Sequence, residues 1–377
     1  MGSDALEARA LGAVNDEGAS GYLTIDLGVL RGNYEALSSI AAPARVAAVV
    51  KADAYGLGAA RVSQALYDQG CRHFFVAQCM EAEALRPILP HDAQIFVLNG
   101  LQPGAETACA EAGIVPVLNS REQLRQWHAA ASSLKRSLPA VLQFDTGMSR
   151  LGVPPQDRTA VAADLKAATN VEILFIMSHL ASADEIDNDQ NADQLAEMGR
   201  IAEEFAGFDI SFSNSGGIFL GHDYHGVLAR PGIALYGGVP AGQAPNPLRP
   251  VVGLNVAVVQ TRTVPAGTRI GYGGTHVAAG EMRLATIAAG YADGLPRSLS
   301  DRGAVYHDGV RLPIVGRVSM DSITIDVTAL PEGRLTLGSL VEVLGPHQTL
   351  EDIAEAADTI SYEILTRLGH RYKRQYR

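Results

Sequence analysis

Several polar residues that could do chemistry stand directly after short apolar runs. Lys51 follows VAAVV, Arg150 ends the DTGMSR segment after VLQF, His179 follows ILFIMS, and Asn214 and Ser215 follow DISFS. A desolvated lysine has a depressed pKa and becomes a Schiff-base nucleophile or a general base. Each residue alone has an ordinary explanation, since strand-end lysines usually extend into solvent and lone histidines are usually hydrogen-bonded core residues. Their shared position after apolar runs indicates one common site.

Glycines extend this pattern. The chain holds 39 glycines in 377 residues, which exceeds the usual share of roughly 7%. The pairs Gly216–Gly217 and Gly237–Gly238 follow the seventh and eighth apolar runs. Barrel enzymes commonly bind a phosphate at these two loops through backbone N–H groups. The spacing therefore predicts an anion-binding site beside the polar residues.

The elements that must position these residues alternate between two patterns. Apolar, β-branched runs are separated by Ala-rich stretches with helical spacing, and a helix beginning near Leu27, with Asp26 as its cap, precedes them. Eight such runs favour a closed (β/α)8 TIM barrel, which we predict over residues 21–245, preceded by a flexible N-terminus at 1–20. The eight runs are 46–50, 73–78, 94–99, 114–119, 139–144, 171–178, 208–213 and 226–235.

A different pattern begins after the Pro-rich segment at residues 243–250. Short β-branched runs alternate there with Gly, Pro and Asp turns, which predicts a mainly antiparallel β-domain over residues 246–377. Two short helices are expected near its end, one starting at Thr349 with Asp352 three residues later, the other ending at Gly369. We interpret the basic tail HRYKRQYR as a solvated terminus.

Composition excludes several classes of protein. Thirty Lys and Arg oppose 41 Asp and Glu, giving a net charge of −11, so we expect no nucleic-acid partner and no membrane partner. The apolar content of 47% excludes a disordered chain. Cys71, Cys79 and Cys109 show no metal-binding spacing, and we expect no metal. With no signal-peptide pattern, the prediction is a cytoplasmic protein.

Nine motifs resemble the alanine racemase family, in the family's order, from about Tyr22 to the C-terminus. The resemblance implies a barrel that binds pyridoxal 5'-phosphate, a following β-domain, and a homodimer with composite active sites. It implies an isomerase that interconverts L- and D-alanine and provides D-alanine for peptidoglycan. The motifs are VVKADAYGLG, DTGMSRLG, SHLASADE, SNSGG, ARPGIALYG, IGYGGT, AAGYADG, GRVSMD and SYEIL.

The resemblance also implies catalytic roles. Lys51 corresponds to the lysine that holds the cofactor as a Schiff base and acts as one acid/base. Tyr272 corresponds to the second acid/base, contributed by the other subunit. Two groups are needed because the α-proton leaves one face of the substrate and returns to the opposite face. Arg230 resembles the arginine facing the pyridine nitrogen, which should keep that nitrogen largely unprotonated because an arginine does not readily accept a proton.

Further residues match the family's binding set. Arg150 matches a residue near the phenolic oxygen of the cofactor and the substrate carboxylate, while Met320 matches a backbone contact to that carboxylate. His179 should lie against the cofactor ring. Tyr291, Arg297 and Asp321 match residues that line a narrow access channel and favour a small side chain. The residues that match the phosphate-binding set are Tyr55, Ser215, Gly232, Ile233 and Tyr362, and Asn214, also counted as cofactor-binding, lies beside them.

Two positions depart from the family's pattern. Many relatives carry a carbamylated lysine where this chain has Gln143, and an amide cannot form a carbamate. The Gln143 carbonyl, or an anion such as chloride, would then orient Arg150. Ser319 stands where relatives often have Cys, which removes a thiol and leaves every role intact.

Three alternative functions share part of this pattern. A broader amino-acid or serine racemase on the same scaffold differs only in pocket width. A decarboxylase of basic amino acids would need a Cys in the β-domain, whereas all three cysteines precede residue 110. A non-catalytic pyridoxal-phosphate carrier would resemble the barrel alone.

Overall fold

The computed structural model of the chain describes residues 18–240, 242 and 246–377. Most of the N-terminal segment predicted over residues 1–20, and the predicted domain boundary at residue 245, lie outside the described residues. The chain forms two compact units: residues 30–249, and residues 250–377 together with the described residues before position 30.

The described chain opens with strand β1 and helix α1. Strand β1 spans Gly21–Ile25 and helix α1 spans Leu27–Ala41. Asp26 caps the helix as predicted, since its Oδ1 accepts a hydrogen bond from the Val29 N–H at 2.8 Å.

The first unit is a closed barrel of parallel strands. Each strand pairs in parallel with the next along the chain from β3 to β9, and β10 pairs in parallel with β2. Two hydrogen bonds complete the ring between the seventh and eighth runs, from Val227 N to Ile210 O at 2.7 Å and from Arg230 N to Ser213 O at 2.9 Å. The predicted barrel is confirmed. Its strands are β2 (Arg45–Val46), β3 (Ala48–Val49), β4 (His73–Val76), β5 (Gln94–Val97), β6 (Val115–Leu118), β7 (Leu138–Gln143), β8 (Val171–Met177), β9 (Ile210–Ser211) and β10 (Leu228–Ala229).

Helices follow most of these strands and cover the barrel. Hydroxyl and amide caps start two of them: Ser120 Oγ accepts from the Gln123 N–H, and Asn188 Oδ1 accepts from the Gln190 N–H. The caps therefore hold the ends of the loops that lead into α5 and α7. The helices of this unit are α2 (Ala59–Asp68), α3 (Cys79–Leu85), α4 (Glu106–Glu111), α5 (Arg121–Leu134), α6 (Arg158–Ala167) and α7 (Asp189–Glu204).

The second unit is mainly antiparallel. Its long strand β11 pairs antiparallel with β1, β14 and β18. The predicted barrel range includes residues 21–29, but these belong to this unit, because β1 hydrogen-bonds to β11 and runs parallel to β19. The strands are β11 (Val252–Val264), β12 (Arg269–Ile270), β13 (His276–Val277), β14 (Met282–Ile287), β15 (Ala304–His307), β16 (Val310–Pro313), β17 (Ile323–Asp326), β18 (Leu340–Leu344) and β19 (Lys373–Tyr376).

Two helices, α8 (Leu350–Ala357) and α9 (Ser361–Arg367), complete this unit. The predicted start of the first is confirmed by a reciprocal cap: Thr349 Oγ1 accepts from the Asp352 N–H, and Asp352 Oδ2 accepts from the Thr349 N–H. The second ends two residues before the predicted Gly369. Across the described residues, no helix combines the length and the apolar content needed to cross a membrane.

Candidate active site

Lys51 stands at the end of β3 and begins an unusual turn. The four residues after it, Ala52 to Tyr55, all have left-handed backbone conformations, with φ between 53° and 56°. This conformation costs an L-residue roughly 1–2 kcal/mol, so the surroundings must hold it. Glu81 Oε1 accepts from the Ala52 N–H at 2.5 Å, and Asp53 Oδ1 accepts from the Ala59 N–H at 2.7 Å. The sequence around Lys51 is therefore fixed in a strained turn, as is common at functional sites.

The electrostatic surroundings of Lys51 favour a neutral amine. Burial lowers the pKa of Lys51, and the positive charge of Arg150 lowers it further, while Glu81 acts in the opposite direction. A lysine with a lowered pKa carries a larger neutral fraction near pH 7, and only the neutral amine attacks a carbonyl.

Backbone N–H groups converge beside this lysine. Ser215 Oγ accepts from the Gly232 N–H at 2.8 Å and from the Ala234 N–H at 3.3 Å. The N–H groups of Gly216 and Ile233 donate to no acceptor among the described residues. Each of them stands at the start of a short 3-10 turn, where N–H groups favour an anion. We define the anion cradle as five residues: Tyr55, Ser215, Gly216, Gly232 and Ile233.

Tyr236 and Asn214 support the cradle. The Tyr55 ring packs against that of Tyr236, with centroids 4.9 Å apart, and the Tyr236 hydroxyl donates to Val49 O at 3.0 Å. Asn214 Oδ1 accepts from the Gly217 N–H at 2.9 Å, and its Nδ2 donates to Leu180 O at 3.2 Å. Asn214 thus shapes the turn that follows Ser215, and one of its two Nδ2–H groups makes no hydrogen bond to the described residues.

Arg230 is a buried cation without an acidic partner among the described residues. It is 3% exposed, and burial lowers its pKa to about 9. It donates from Nη1 to Ser211 Oγ, and from Nη2 to Ser178 O at 2.6 Å and Phe212 O at 3.4 Å. Since a guanidinium has five N–H groups, two remain for a ligand. A neutral acceptor such as a pyridine nitrogen suits them.

His179 lies in the same cationic environment. Burial lowers the pKa of its imidazole to about 3, and the charges of Arg230, Arg150 and Lys51 add to this effect. The ring is therefore neutral at physiological pH, which suits packing against an aromatic ligand.

Arg150 ends a tightly turned loop. Asp145 Oδ1 accepts from the N–H groups of residues 147, 148 and 149 at 2.9 to 3.1 Å. Ser149 has a φ of 56°, and Arg150 itself is exposed. Gln143, at the end of β7, is buried. No carboxylate among the described residues forms an ion pair with Arg150, so the position is open to an anionic ligand.

The remaining predicted residues belong to the C-terminal unit. Tyr272 begins a turn in which Gly271, Gly273 and Gly274 all have positive φ, and its side chain is 71% exposed. Arg297 and Tyr362 are also exposed, and Tyr362 lies on α9.

Tyr291, Met320 and Asp321 lie together in this unit. The Tyr291 N–H donates to Ser319 O at 3.0 Å, and the next N–H donates to Met320 O at 3.0 Å. Arg371 binds Asp321 Oδ1 at 2.7 Å and also pairs with the buried Asp293. This ion-pair network joins the turn that carries Tyr291 to the turn that carries Asp321.

Some residues of the site have no counterpart among the predicted ones. Glu81 holds the turn after Lys51, Ser178 binds Arg230, and Gln194 binds the backbone near His179. For Gln194 the available signal was a polar residue at helical spacing from the apolar Met198 and Ile201 on the buried face of the helix.

A half-buried lysine, an anion cradle and an arginine with spare donors at one barrel mouth fit one class of protein: an enzyme that binds pyridoxal phosphate. The unpartnered N–H groups fit the phosphate, and Arg230 fits the ring nitrogen. The sequence profile of "Alanine racemase, N-terminal domain" matches residues 25–240, and that of "Alanine racemase, C-terminal domain" matches residues 251–376. The chain belongs to the alanine racemase family.

Relatives and solved structures agree with this membership. A protein of Rhizobium johnstonii named "Alanine racemase, catabolic" is 72% identical over 100% of both chains. One of Agrobacterium fabrum with the same name is 62% identical, over 95% of this chain and 92% of the relative. The alanine racemase structure from Bartonella henselae, titled as having covalently bound pyridoxal phosphate, has a TM-score of 0.92 at 44% identity, covering 95% of this chain and 100% of that one.

Gly232→Ala is expected to weaken cofactor binding roughly tenfold or more. A Cβ at this position would lie 2.1 Å from the Tyr55 hydroxyl oxygen, and overpacking of this kind costs about 1–3 kcal/mol. Equilibrium dialysis against pyridoxal phosphate measures the change. Gly199→Ala is the matched control, because nothing lies within 4 Å of its added Cβ and it sits inside helix α7. Unchanged retention in Gly232→Ala would contradict the cradle assignment.

Proposed function

We propose that the protein interconverts L- and D-alanine by a two-base mechanism, with Lys51 and Tyr272 as the two acid/base groups. The observation that carries the proposal is the position of Lys51 at the end of β3, where burial lowers the pKa of its amine. Racemisation needs one group on each face of the α-carbon, because the proton must leave from one side and return on the other.

Each residue has a defined task in this proposal. Pyridoxal phosphate, when bound, supplies an electron-withdrawing ring that acidifies the α-proton. Lys51 Nζ exchanges the proton on one face and Tyr272 Oη on the other. Arg230 would donate a hydrogen bond to the ring nitrogen and keep its own proton, since a pKa of about 9 leaves it charged at neutral pH. His179, whose imidazole is neutral because burial lowers its pKa, would pack against the ring.

The proposal includes a homodimer in which Tyr272 serves the partner's site. A tyrosine that is 71% exposed in one chain is available for a second copy. Tyr291, Arg297 and Asp321 would narrow the access channel, and Tyr362 would reach the phosphate. Arg150 and the Met320 backbone would hold the substrate carboxylate.

A chirality assay tests the substrate. L-alanine, L-serine and several larger L-amino acids are incubated with the holoenzyme, and both enantiomers are quantified by chiral chromatography. Alanine is expected to be racemised with the highest kcat/KM. A kcat/KM for serine or a larger amino acid that equals the alanine value would replace this proposal with the broader racemase.

The replacement of the carbamylated lysine by Gln143 leads to a separate proposal, that an anion such as chloride lies near Gln143 and Arg150. Arg150 is exposed and has no carboxylate partner among the described residues. Replacing chloride by a bulky anion such as gluconate at constant ionic strength is then expected to raise the KM for alanine. An unmoved KM, with no anion density beside Arg150 in a crystal, would leave the Gln143 carbonyl as the orienting group.

The physiological role has two candidates. We propose provision of D-alanine for peptidoglycan, in the cytoplasm, as the family resemblance suggests. The second candidate is alanine catabolism, favoured by the printed names of the relatives at 72% and 62% identity. A deletion strain separates them: requirement for D-alanine supports the first, and loss of growth on alanine as carbon source supports the second.

A further inference from the structure

We propose that Gln194 is a positioning residue, which ties the loop that carries Arg150 to the loop that carries His179. The inference rests on the proposed function for the roles of those two residues. Gln194 lies on helix α7 and is fully buried. Its Nε2 donates to Thr146 Oγ1 at 2.9 Å and to His179 O at 2.9 Å, and its Oε1 accepts from the Ala181 N–H at 2.8 Å.

The amide of Gln194 is matched to these partners. A primary amide offers two N–H donors and one carbonyl oxygen, and here both donors and the oxygen are used. A carboxylate at the same position could accept from the Ala181 N–H and from the Thr146 hydroxyl but could not donate to His179 O, so Glu would lose the hydrogen bond to the His179 backbone and place a negative charge against that carbonyl oxygen. This makes the position selective for amide chemistry as well as for size.

The contacts of Gln194 continue into the site. Thr146 Oγ1 lies 2.8 Å from Ser178 Oγ, and Ser178 O accepts from Arg230 Nη2 at 2.6 Å. Thr146 and Ser178 are both buried. In a low-dielectric interior such chains of hydrogen bonds fix geometry strongly. One buried network therefore joins the loops or side chains of Arg150, His179 and Arg230.

Two other side chains also bind the Arg150 loop, through different partners. Arg158 Nη2 donates to Asp145 O at 3.3 Å, and Gln190 Nε2 donates to Gly147 O at 3.0 Å. Gln190 also reaches the loop after His179, because its Oε1 accepts from Ser182 Oγ at 2.6 Å, whereas Gln194 binds the backbone of His179 and Ala181 directly. Arg150 is itself exposed and is not fixed by core packing, so the network behind its loop holds the backbone from which its side chain extends.

The experiment compares substitutions that cut the network with one that only weakens packing. Gln194→Met removes all three hydrogen bonds at similar side-chain length, and Gln194→Glu keeps the shape without the donors. Thr146→Val and Thr146→Ser form a second pair, in which only Ser keeps the hydroxyl. Met198→Ala is the control, because Met198 is buried on the same helix and touches the core through apolar packing alone.

Two readouts are used. In cofactor-free protein, hydrogen–deuterium exchange is expected to accelerate in peptides covering residues 145–150 and 179–183 for Gln194→Met and Thr146→Val, most of all at the Ala181 N–H. In the holoenzyme, the KM for alanine is expected to rise about tenfold, the effect of roughly 1.4 kcal/mol of lost binding, with a smaller change in kcat, because Arg150 holds the substrate carboxylate in the proposed function. Thr146→Ser should restore both values, and Gln194→Glu should not.

If Gln194 served only to stabilise the fold, the experiment would give a different result. If Gln194→Met and Thr146→Val lower thermal stability as Met198→Ala does, yet leave loop exchange and KM unchanged, the inference is overturned. If Gln194→Met fails to fold, the Thr146 pair decides by the same readouts. If the native enzyme does not racemise alanine, the proposed function fails, while the exchange measurement still decides whether Gln194 holds the two loops.

Discussion

Tyr272→Phe is expected to reduce alanine racemisation by about 10³-fold or more while the cofactor stays bound. The substitution removes one oxygen, which in the proposed mechanism is the acid/base on one face of the substrate. General acid/base groups contribute typically 10²–10⁴-fold. The side chain is 71% exposed in one chain and its ring is retained, so no cost in folding accompanies the loss.

The two-base proposal makes a sharper expectation for isotope exchange. In deuterated water Tyr272→Phe should still exchange the α-proton of one alanine enantiomer, through Lys51, but not that of the other. Nuclear magnetic resonance of each enantiomer, incubated separately, measures this asymmetry. A single-base enzyme would lose or keep both exchanges together, so equal exchange of the two enantiomers would contradict the proposal.

The matched control is Tyr306→Phe in the same domain. Tyr306 lies on β15 and stacks against His347, with ring centroids 6.0 Å apart. Its hydroxyl has no part in the proposed reaction, so racemisation should remain at the native rate. Loss of the yellow, borohydride-reducible cofactor from Tyr272→Phe would show that the hydroxyl serves binding and not proton transfer.

The barrel could be predicted because its strands are buried on both faces and leave continuous apolar runs. Strand β1 shows the limit of this approach. GYLTI is as apolar and β-branched as the barrel strands, yet it pairs with β11 more than 200 residues later in the chain. Nothing within five residues distinguishes a parallel barrel strand from an antiparallel partner of a distant one. A boundary predicted from such runs therefore assigns β1 to the barrel, whereas β1 belongs to the second unit.

The residues of the site likewise divide into those that could be predicted from the sequence and those that could not. Lys51 and His179 could be located because a polar residue directly after an apolar strand lies at the barrel mouth. The left-handed turn after Lys51 could not, since alanine and tyrosine normally avoid this conformation and the turn is held by contacts such as the one from the Ala52 N–H to the more distant Glu81. Gln194 reaches a threonine 48 positions away, and such partners are set by the tertiary fold.

Lys51→Ala is expected to abolish covalent cofactor attachment and lower racemisation below detection. This residue serves two tasks, the link to pyridoxal phosphate and proton transfer on one face, so its removal should exceed the effect of Tyr272→Phe. The anion cradle and Arg230 remain, and free cofactor should still bind without a covalent link. The absorbance of the cofactor with and without borohydride treatment, followed by denaturation, measures the attachment.

Lys166→Ala controls for the loss of a lysine. Lys166 lies in the last turn of α6, is exposed, and takes no part in the proposed site. Both attachment and racemisation should remain native. Because the variant Lys51→Ala keeps the cradle, an added primary amine such as methylamine can supply the missing nitrogen and should restore part of the α-proton exchange. Borohydride-stable attachment in Lys51→Ala would place the link on another lysine and remove the basis of the proposed mechanism, since the lowered pKa that supports it belongs to Lys51.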